Sequence, residues 1–189
     1  MKQLRADFCE RAAEFIITRL KFIDETGFNI ALTRLYGRAA SGDRVTEGVP
    51  KNYGENITML AALGISGISA PMTVEGSVDT EVFVVYIEQV LAPTLEPGDI
   101  VAMDNLCVHK VSEVEEAITA RGAQIQYLPP YSPDLNPIEK CWSKIKTGLR
   151  KAKARTRESL ESAIKQALLT IKQSDASAWF AHCGYTVHS

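Results

Sequence analysis

The chain has no CxxC pair: its four cysteines, at positions 9, 107, 141 and 183, are too scattered for a zinc knuckle or a redox couple. Free thiols in a reducing compartment are the expectation. Only three histidines are present, His109, His182 and His188, without the cysteine or histidine spacing of a zinc site. No charge-free apolar run is long enough to span a bilayer, and the opening MKQLRADFCERAAEF is a charged amphipathic stretch instead of a signal peptide. A soluble, cytoplasmic protein with no membrane partner is expected. No repeat, low-complexity tract or linker divides the 189 residues, and their 46% hydrophobic content can fill one core. That predicts a single domain.

The formal charge of −2 conceals a polarised chain. Residues 1–139 carry 11 basic and 20 acidic side chains, whereas residues 140–189 carry 10 and 3. Lys140, Lys144, Lys146, Arg150, Lys151, Lys153, Arg155 and Arg157 crowd 18 residues with no acid among them. Such a run is either a solvated basic helix face or the track of a polyanion such as DNA. Lys51 and Asn52 are weaker candidates for the same track.

Apolar periodicity gives the order of elements. Leu4, Phe8, Ala12 and Phe15 predict an opening helix; Leu20, Phe22 and Ile23 predict a strand running to Asp24; residues 28–36 predict a second strand. ITMLAALGI, from Ile57, has the continuous hydrophobicity of a strand buried on both faces, and GISAPMTVEG reads as its hairpin partner. Phe83, Tyr86, Ile87, Val90 and Leu91 predict a helix that stops at Pro93, followed by the short strand DIVAMD. Ser112 and Glu115 match a capping box with Val111 as staple, on a helix with stripe Val114, Ala117 and Ile118 that closes at Gly122; the strand QIQYL comes next. Thr156 opens a last long helix with stripe Leu160, Ile164, Leu168 and Ile171, and Trp179 and Phe180 tuck the tail back. Strands alternating with helices after an opening block of strands indicate an α/β fold, a mixed sheet covered by helices.

PPYSPDLNP holds four prolines in nine residues, so its backbone is stiff before any tertiary contact forms. It acts as a rigid arm leading into a helix whose core stripe is Ile138, Trp142, Ile145 and Leu149, with Asn136 placed to cap it and Pro137 at its first position.

Three acids stand in telling places: Asp24 in FIDETGF, Asp104 in VAMDNLCVH and Glu139 in LNPIEKCW, the last two separated by 34 residues. Acids at strand ends sit where a sheet's carboxyl edge opens into a ligand crevice, and three converging carboxylates suit hard divalent cations and phosphoryl transfer. Each also has a local explanation. Asp24 can be a turn acid beside Thr26 and Gly27, Asp104 part of an Asp-Asn turn, and Glu139 the capping-box partner of Asn136. His109, five residues after Asp104, can touch a phosphate, orient a ligand, or simply start a helix. Glu25 should face away from Asp24, and Asp43, Asp99 and Asp134 fall in turn contexts.

FIDETGF, MDNLCVHK and LPPYSPDLNPIEKCWSKIK together resemble the catalytic domain of mariner-like insertion-sequence transposases of the DDE superfamily. The likeness runs from about Leu20 onward, with aspartate, aspartate and glutamate in order. It implies a ribonuclease H-like fold over residues 19–189, residues 1–18 being a helix that leads into it. It also implies two Mg²⁺ or Mn²⁺ ions held by Asp24, Asp104 and Glu139, with Asn105 and His109 in support. The activity implied is cut-and-paste DNA transposition, on double-stranded transposon ends and a TA target, by a homodimer acting at the nucleoid. Lys140, Lys144, Lys146, Arg150, Lys151 and Lys153 would then follow the DNA backbone. Such transposases use helix-turn-helix modules to recognise transposon ends, and only about one helix precedes Asp24 here, so the expectation is either a catalytic fragment or one product of a split or frameshifted element whose end-binding half is separately encoded. A ribonuclease H-like nuclease that cuts without joining, and a truncated, non-catalytic inhibitory subunit, are the competing readings.

Overall fold

Ile57–Gly64 is almost wholly buried because a strand pairs with it on each side and helices cover both faces of the sheet. The computed structural model describes residues 2–34, 36–46, 48–105 and 111–185. It shows five strands: β1 (Leu20–Phe28), β2 (Ile57–Gly64), β3 (Gly67–Glu75), β4 (Ile100–Met103) and β5 (Gln124–Tyr127). Their order is β3-β2-β1-β4-β5. The first three form an antiparallel meander, and β4 and β5 add to β1 in parallel, so the sheet is mixed as the pattern predicted. The helices are α1 (Lys2–Ala12), α2 (Thr80–Tyr86), α3 (Ser112–Thr119), α4 (Ile138–Ala152), α5 (Arg157–Leu169) and α6 (Gln173–His182).

Strand alternation sorts the core into two layers. On one face Leu20, Phe22, Ala61, Leu63 and Ala102 pack beneath Phe8 of α1, Ile138, Trp142 and Ile145 of α4, Leu160 and Ile164 of α5, and Phe180 of α6. Phe180 meets Phe22 edge-on at 5.4 Å between ring centroids. On the other face Ile23, Leu60, Ala62, Val101 and Met103 pack against Phe83 and Tyr86 of α2 and Val114 and Ile118 of α3. At roughly 1.5–3 kcal/mol for each large side chain buried, these layers dominate the folding free energy. This mixed five-stranded sheet flanked by helices is the ribonuclease H-like fold.

Several local expectations fail for identifiable reasons. β1 does not stop at Asp24 but continues to Phe28, because β2 pairs with it along that whole length. Residues 29–34 and 36 then form no strand, despite their β-branched and aromatic content, since no neighbour pairs with them. Leu4 of α1 is 53% exposed, so the opening helix buries Phe8 but not the full predicted stripe. Ser112 does not cap α3: Val111 holds the cap position, without a side-chain bond, and the Ser112 hydroxyl turns to Glu113. A separate helix, α6, carries Trp179 and Phe180, where only a returning tail was expected. No helix among the described residues is long and apolar enough to cross a membrane.

Candidate active site

β1 and β4 pair residue for residue from Leu20–Ile100 to Phe22–Ala102. Carried on by two places, the same register sets Asp24 level with Asp104, just past the last residue of β4. Because Phe22 and Ala102 face the layer under α4, side chains two residues further along each strand face it too. Asp24 lies opposite Ala61 of β2, whose small side chain leaves it room, and the β2–β3 register slips at that point. Such irregularities bend a strand and re-aim the side chains around it.

Glu139 reaches the same place from above. It sits in the first turn of α4, three residues before Trp142, whose indole Nε1–H donates to Asp24 Oδ2 at 3.2 Å. The helix is thus pinned over the aspartate it is meant to join. Asp24, Asp104, Asn105, Asn136 and Glu139 line one cleft of about 400 Å³, walled by the arm from Leu128 to Pro133. The structure therefore brings together the three acids and Asn105; His109 lies outside the described residues.

Asp24 is the strained member. Its carboxyl is raised from 3.8 to about 7, first by burial, then by the charge of Glu139, while the Glu25 backbone N–H, donating to Oδ1 at 2.9 Å, pulls the other way. Among the described residues no three His, Cys, Asp or Glu side chains are already drawn in as a metal-ligand set. The donor set nevertheless fits a hard divalent cation: it consists of carboxylate oxygens, and such an ion would offset both the burial and the Glu139 charge that raise Asp24.

The capping explanation of Glu139 loses its support here. Pro137, not Asn136, occupies the cap position of α4 and makes no side-chain bond, and no capping box forms. The arm is held at three points instead. Arg5 of α1 grips both oxygens of Asp134, at 3.0 and 2.6 Å, and donates to Ser132 Oγ at 2.7 Å, while the Tyr185 hydroxyl donates to the Leu135 carbonyl at 2.7 Å. At the rim, Tyr131 is 88% exposed with a left-handed backbone, φ 54°. Trp142, Arg5 and Tyr185 were not singled out from sequence as site residues. Only Trp142 carried a signal, its three-residue step from Glu139.

The basic run divides by helix face. Lys146 and Arg150, seven and eleven residues after Glu139, fall along Glu139's edge of α4 and are half-buried. Lys144 lies on the other edge, ion-paired to Asp175 and donating to the Thr170 carbonyl. Lys140, Lys151 and Lys153 are exposed, and Lys153 ends the helix in the left-handed conformation. Arg155 donates to the carbonyls of Ile30 and Leu32, and Arg157 pairs with Glu75 and Glu161. Those two arginines are tied to the fold.

The family model described as DDE superfamily endonuclease matches residues 19–161. The chain belongs to that family. No curated protein matches the sequence. Among solved structures, the fold of this DDE-family chain is similar to the Mos1 transposase in its paired-end complex with the left transposon end. The TM-score is 0.74 at 16% identity, over 95% of this chain and 58% of that one. It is also similar to the mariner Mos1 paired-end complex with Mg, at TM-score 0.71 and 16% identity over 99% and 62%. The isolated catalytic domain of Mos1 mariner transposase gives TM-score 0.68 at 12% identity, over 97% of this chain and 87% of that one. The chain thus spans less than two thirds of the Mos1 chains in the paired-end complexes and most of the catalytic domain.

Proposed function

We propose that residues 19–189 are the catalytic domain of a mariner-like DDE transposase, entered through the helix within residues 1–18, that cuts strands at transposon ends and joins them to target DNA at TA. The observation that carries this reading is the single cleft shared by Asp24 from β1, Asp104 from beyond β4 and Glu139 from α4.

Asp24, Asp104 and Glu139 would hold two Mg²⁺ or Mn²⁺ ions, and such ions, when bound, neutralise charge on the scissile phosphate and the departing 3′-oxygen. Trp142 fixes the Asp24 carboxylate by its N–H, and the stiff arm holds Glu139 against it. Asn105, next to Asp104 in the cleft, and His109 support the site. Water attacks phosphorus and the bond to the 3′-oxygen breaks; the freed 3′-hydroxyl then attacks a target phosphodiester, so no covalent protein intermediate is needed. Lys140, Lys146, Arg150, Lys151 and Lys153 carry the duplex away from the cleft, with Lys144 contributing where its pair with Asp175 allows. A homodimer at the nucleoid, joined by a separately encoded helix-turn-helix half, completes the reading.

The test is strand cleavage and joining of an end-containing duplex with Mn²⁺. Wild type is expected to yield both products, and alanine at Asp104 or Glu139 neither, with the fold unchanged by circular dichroism. Cleavage without joining, when a 3′-hydroxyl end is supplied, would indicate a nuclease. Wild type that neither cuts nor joins would indicate the other alternative, a non-catalytic inhibitory subunit. Calorimetry separates the two, because an inert subunit has no need to bind Mn²⁺.

A further inference from the structure

Tyr131 stands where a tyrosine is least expected. Its φ of 54° lies in the left-handed region, which suits glycine or asparagine and is unusual for a bulky side chain. Among the described residues, two others that are not glycine share that region, and each has a local reason. Lys153 ends α4, and Ala70 sits in β3 where the pairing with β2 slips. Tyr131 instead follows Pro130 in a turn, with its ring 88% exposed. A backbone held in a sparsely populated region at a cleft is the kind of strain that gathers at ligand clamps.

The ring is exposed, but its foundation is fixed. Ser132, the next residue, is buried and accepts a hydrogen bond from Arg5, and Pro129, Pro130 and Pro133 stiffen the chain on both sides. The other strongly exposed tyrosines, Tyr36 and Tyr53, lie outside the cleft of the acids, whereas Tyr131 lines it. That cleft is two-natured: it offers the carboxylates of Asp24, Asp104 and Glu139 and an apolar wall that includes Leu128, the prolines and this ring. A nucleotide has the same two parts, a phosphate that metal-loaded carboxylates would hold and a flat base with a π-face.

We propose that Tyr131 stacks on the base adjoining the scissile phosphate, once that base has left its neighbour in the duplex, and so steadies the phosphodiester over the three acids. Within an intact duplex every base face is covered by the next pair, so a protein ring meets a face only at a strand end or at an extruded nucleotide. Stacking tolerates any base, because each has a π-face; the contact positions the strand and reads no sequence. This inference rests on the transposase reading and adds a substrate-positioning residue to it. The hydroxyl is not required, which separates stacking from a hydrogen bond to phosphate.

Three variants test this. Tyr131→Ala removes the ring, Tyr131→Asn does so with a residue that accepts the left-handed backbone, and Tyr131→Phe keeps the ring without the hydroxyl. Single-turnover cleavage and joining with Mn²⁺ should fall on the order of 10- to 100-fold for Tyr131→Ala and Tyr131→Asn, and Tyr131→Phe should restore the rate to within about threefold of wild type. Tyr131→Asn should melt no lower than wild type, because it relieves the backbone. An end-containing duplex with 5-iodouracil beside the scissile phosphate, irradiated in the complex without metal, should crosslink to residue 131 of wild type and of Tyr131→Phe, and not of Tyr131→Ala.

Rates within about twofold of wild type for both ring-less variants would overturn the proposal. So would a Tyr131→Phe variant as slow as Tyr131→Ala, which would assign the work to the hydroxyl. A crosslink that maps elsewhere would also overturn it, as would unchanged rates with lost self-association, which would give the ring to a second copy of the chain. Melting points of both ring-less variants lowered by more than about 5 °C would make Tyr131 a structural strut instead. If wild type itself neither cuts nor joins, the transposase reading falls, and the crosslink still decides whether Tyr131 stacks on a base.

Discussion

The two ends of the β1–β4 pair carry buried or half-buried aspartates in opposite circumstances. At the entry end Asp99 is 2% exposed and fully engaged: the Glu96 backbone N–H donates to Oδ2 at 2.8 Å, Lys21 Nζ stands 2.9 Å from the same oxygen, and Arg19 lies 3.6 Å from Oδ1. Burial alone would raise its carboxyl, yet those donors outweigh burial and hold it below 3.8. At the exit end Asp24 has one indole and one backbone donor, the charge of Glu139 nearby, and a value of about 7. Same strands, same residue type: what differs is whether the fold supplies countercharge or withholds it. Withheld countercharge at a cleft is a mark of function.

The largest effect should come from Asp24→Asn. Activity is expected to fall on the order of 10³-fold, the scale of removing an electrostatic element of a reaction site. Stability should move the other way. Asp24's folded value lies above its unfolded 3.8, so the stability it contributes is present in full below pH 3.8 and is lost as pH rises toward 7. Relative to asparagine, the ionised group therefore costs at most about 4 kcal/mol above pH 7. Metal-free melting at pH 8 should show the variant above wild type, with the gap closing by pH 4 and shrinking when Mn²⁺ is added. A variant that melts lower at pH 8 would break the contrast between the two ends.

Asp99→Asn should do the reverse, costing about 2–3 kcal/mol at pH 7 after allowing for solvent around Arg19. Asp99's value is lowered, so its contribution is present above 3.8 and disappears as pH falls below. Urea unfolding at pH 7 and pH 3 checks both parts. Cleavage should be unaffected once the protein is folded.

Much of this was legible without coordinates. The layers follow from alternation, since Phe22 and Ile23 differ only in parity and go to opposite faces. Asp24, Asp104 and Glu139 stood out through their settings, and the cleft gathers all three. What the sequence could not convey was pairing. Nothing local says that β1 continues past Asp24, because β2 imposes it, or that residues 29–34 and 36 join no strand. Asn136 and Ser112 were misread for a related reason: a side chain that matches a cap also matches a cleft lining or a helix's first residue, and only the position of the first helical turn decides. The contacts of Arg5 with Asp134 and of Tyr185 with Leu135 join residues 129 and 50 apart, beyond any short-range pattern.

Those contacts give the next prediction. If the acid end works because the arm is rigid, Arg5→Ala should cost little stability, as loss of a solvent-exposed pair does. It should nonetheless reduce cleavage roughly tenfold by loosening the arm that carries Glu139. Arg5→Lys should restore little, since one ammonium cannot grip both oxygens of Asp134. Unchanged rates for Arg5→Ala would mean that prolines alone keep the arm in place.

The smallest effect tests whether the same division between spoken-for and available charge extends along α4. Lys144 is already satisfied by Asp175 and the Thr170 carbonyl, linking α4 to α6, whereas Lys146 and Arg150 continue Glu139's edge. Each phosphate neutralised contributes about 0.9 to the slope of log affinity against log salt. Replacing Lys146 and Arg150 together with alanine should therefore flatten that slope by about 2. Lys144→Ala should leave it nearly unchanged while lowering the melting point. The reverse result would mean that the duplex leaves over α6, on the far edge of the helix, and that burial in an ion pair is a poor guide to which lysines meet DNA.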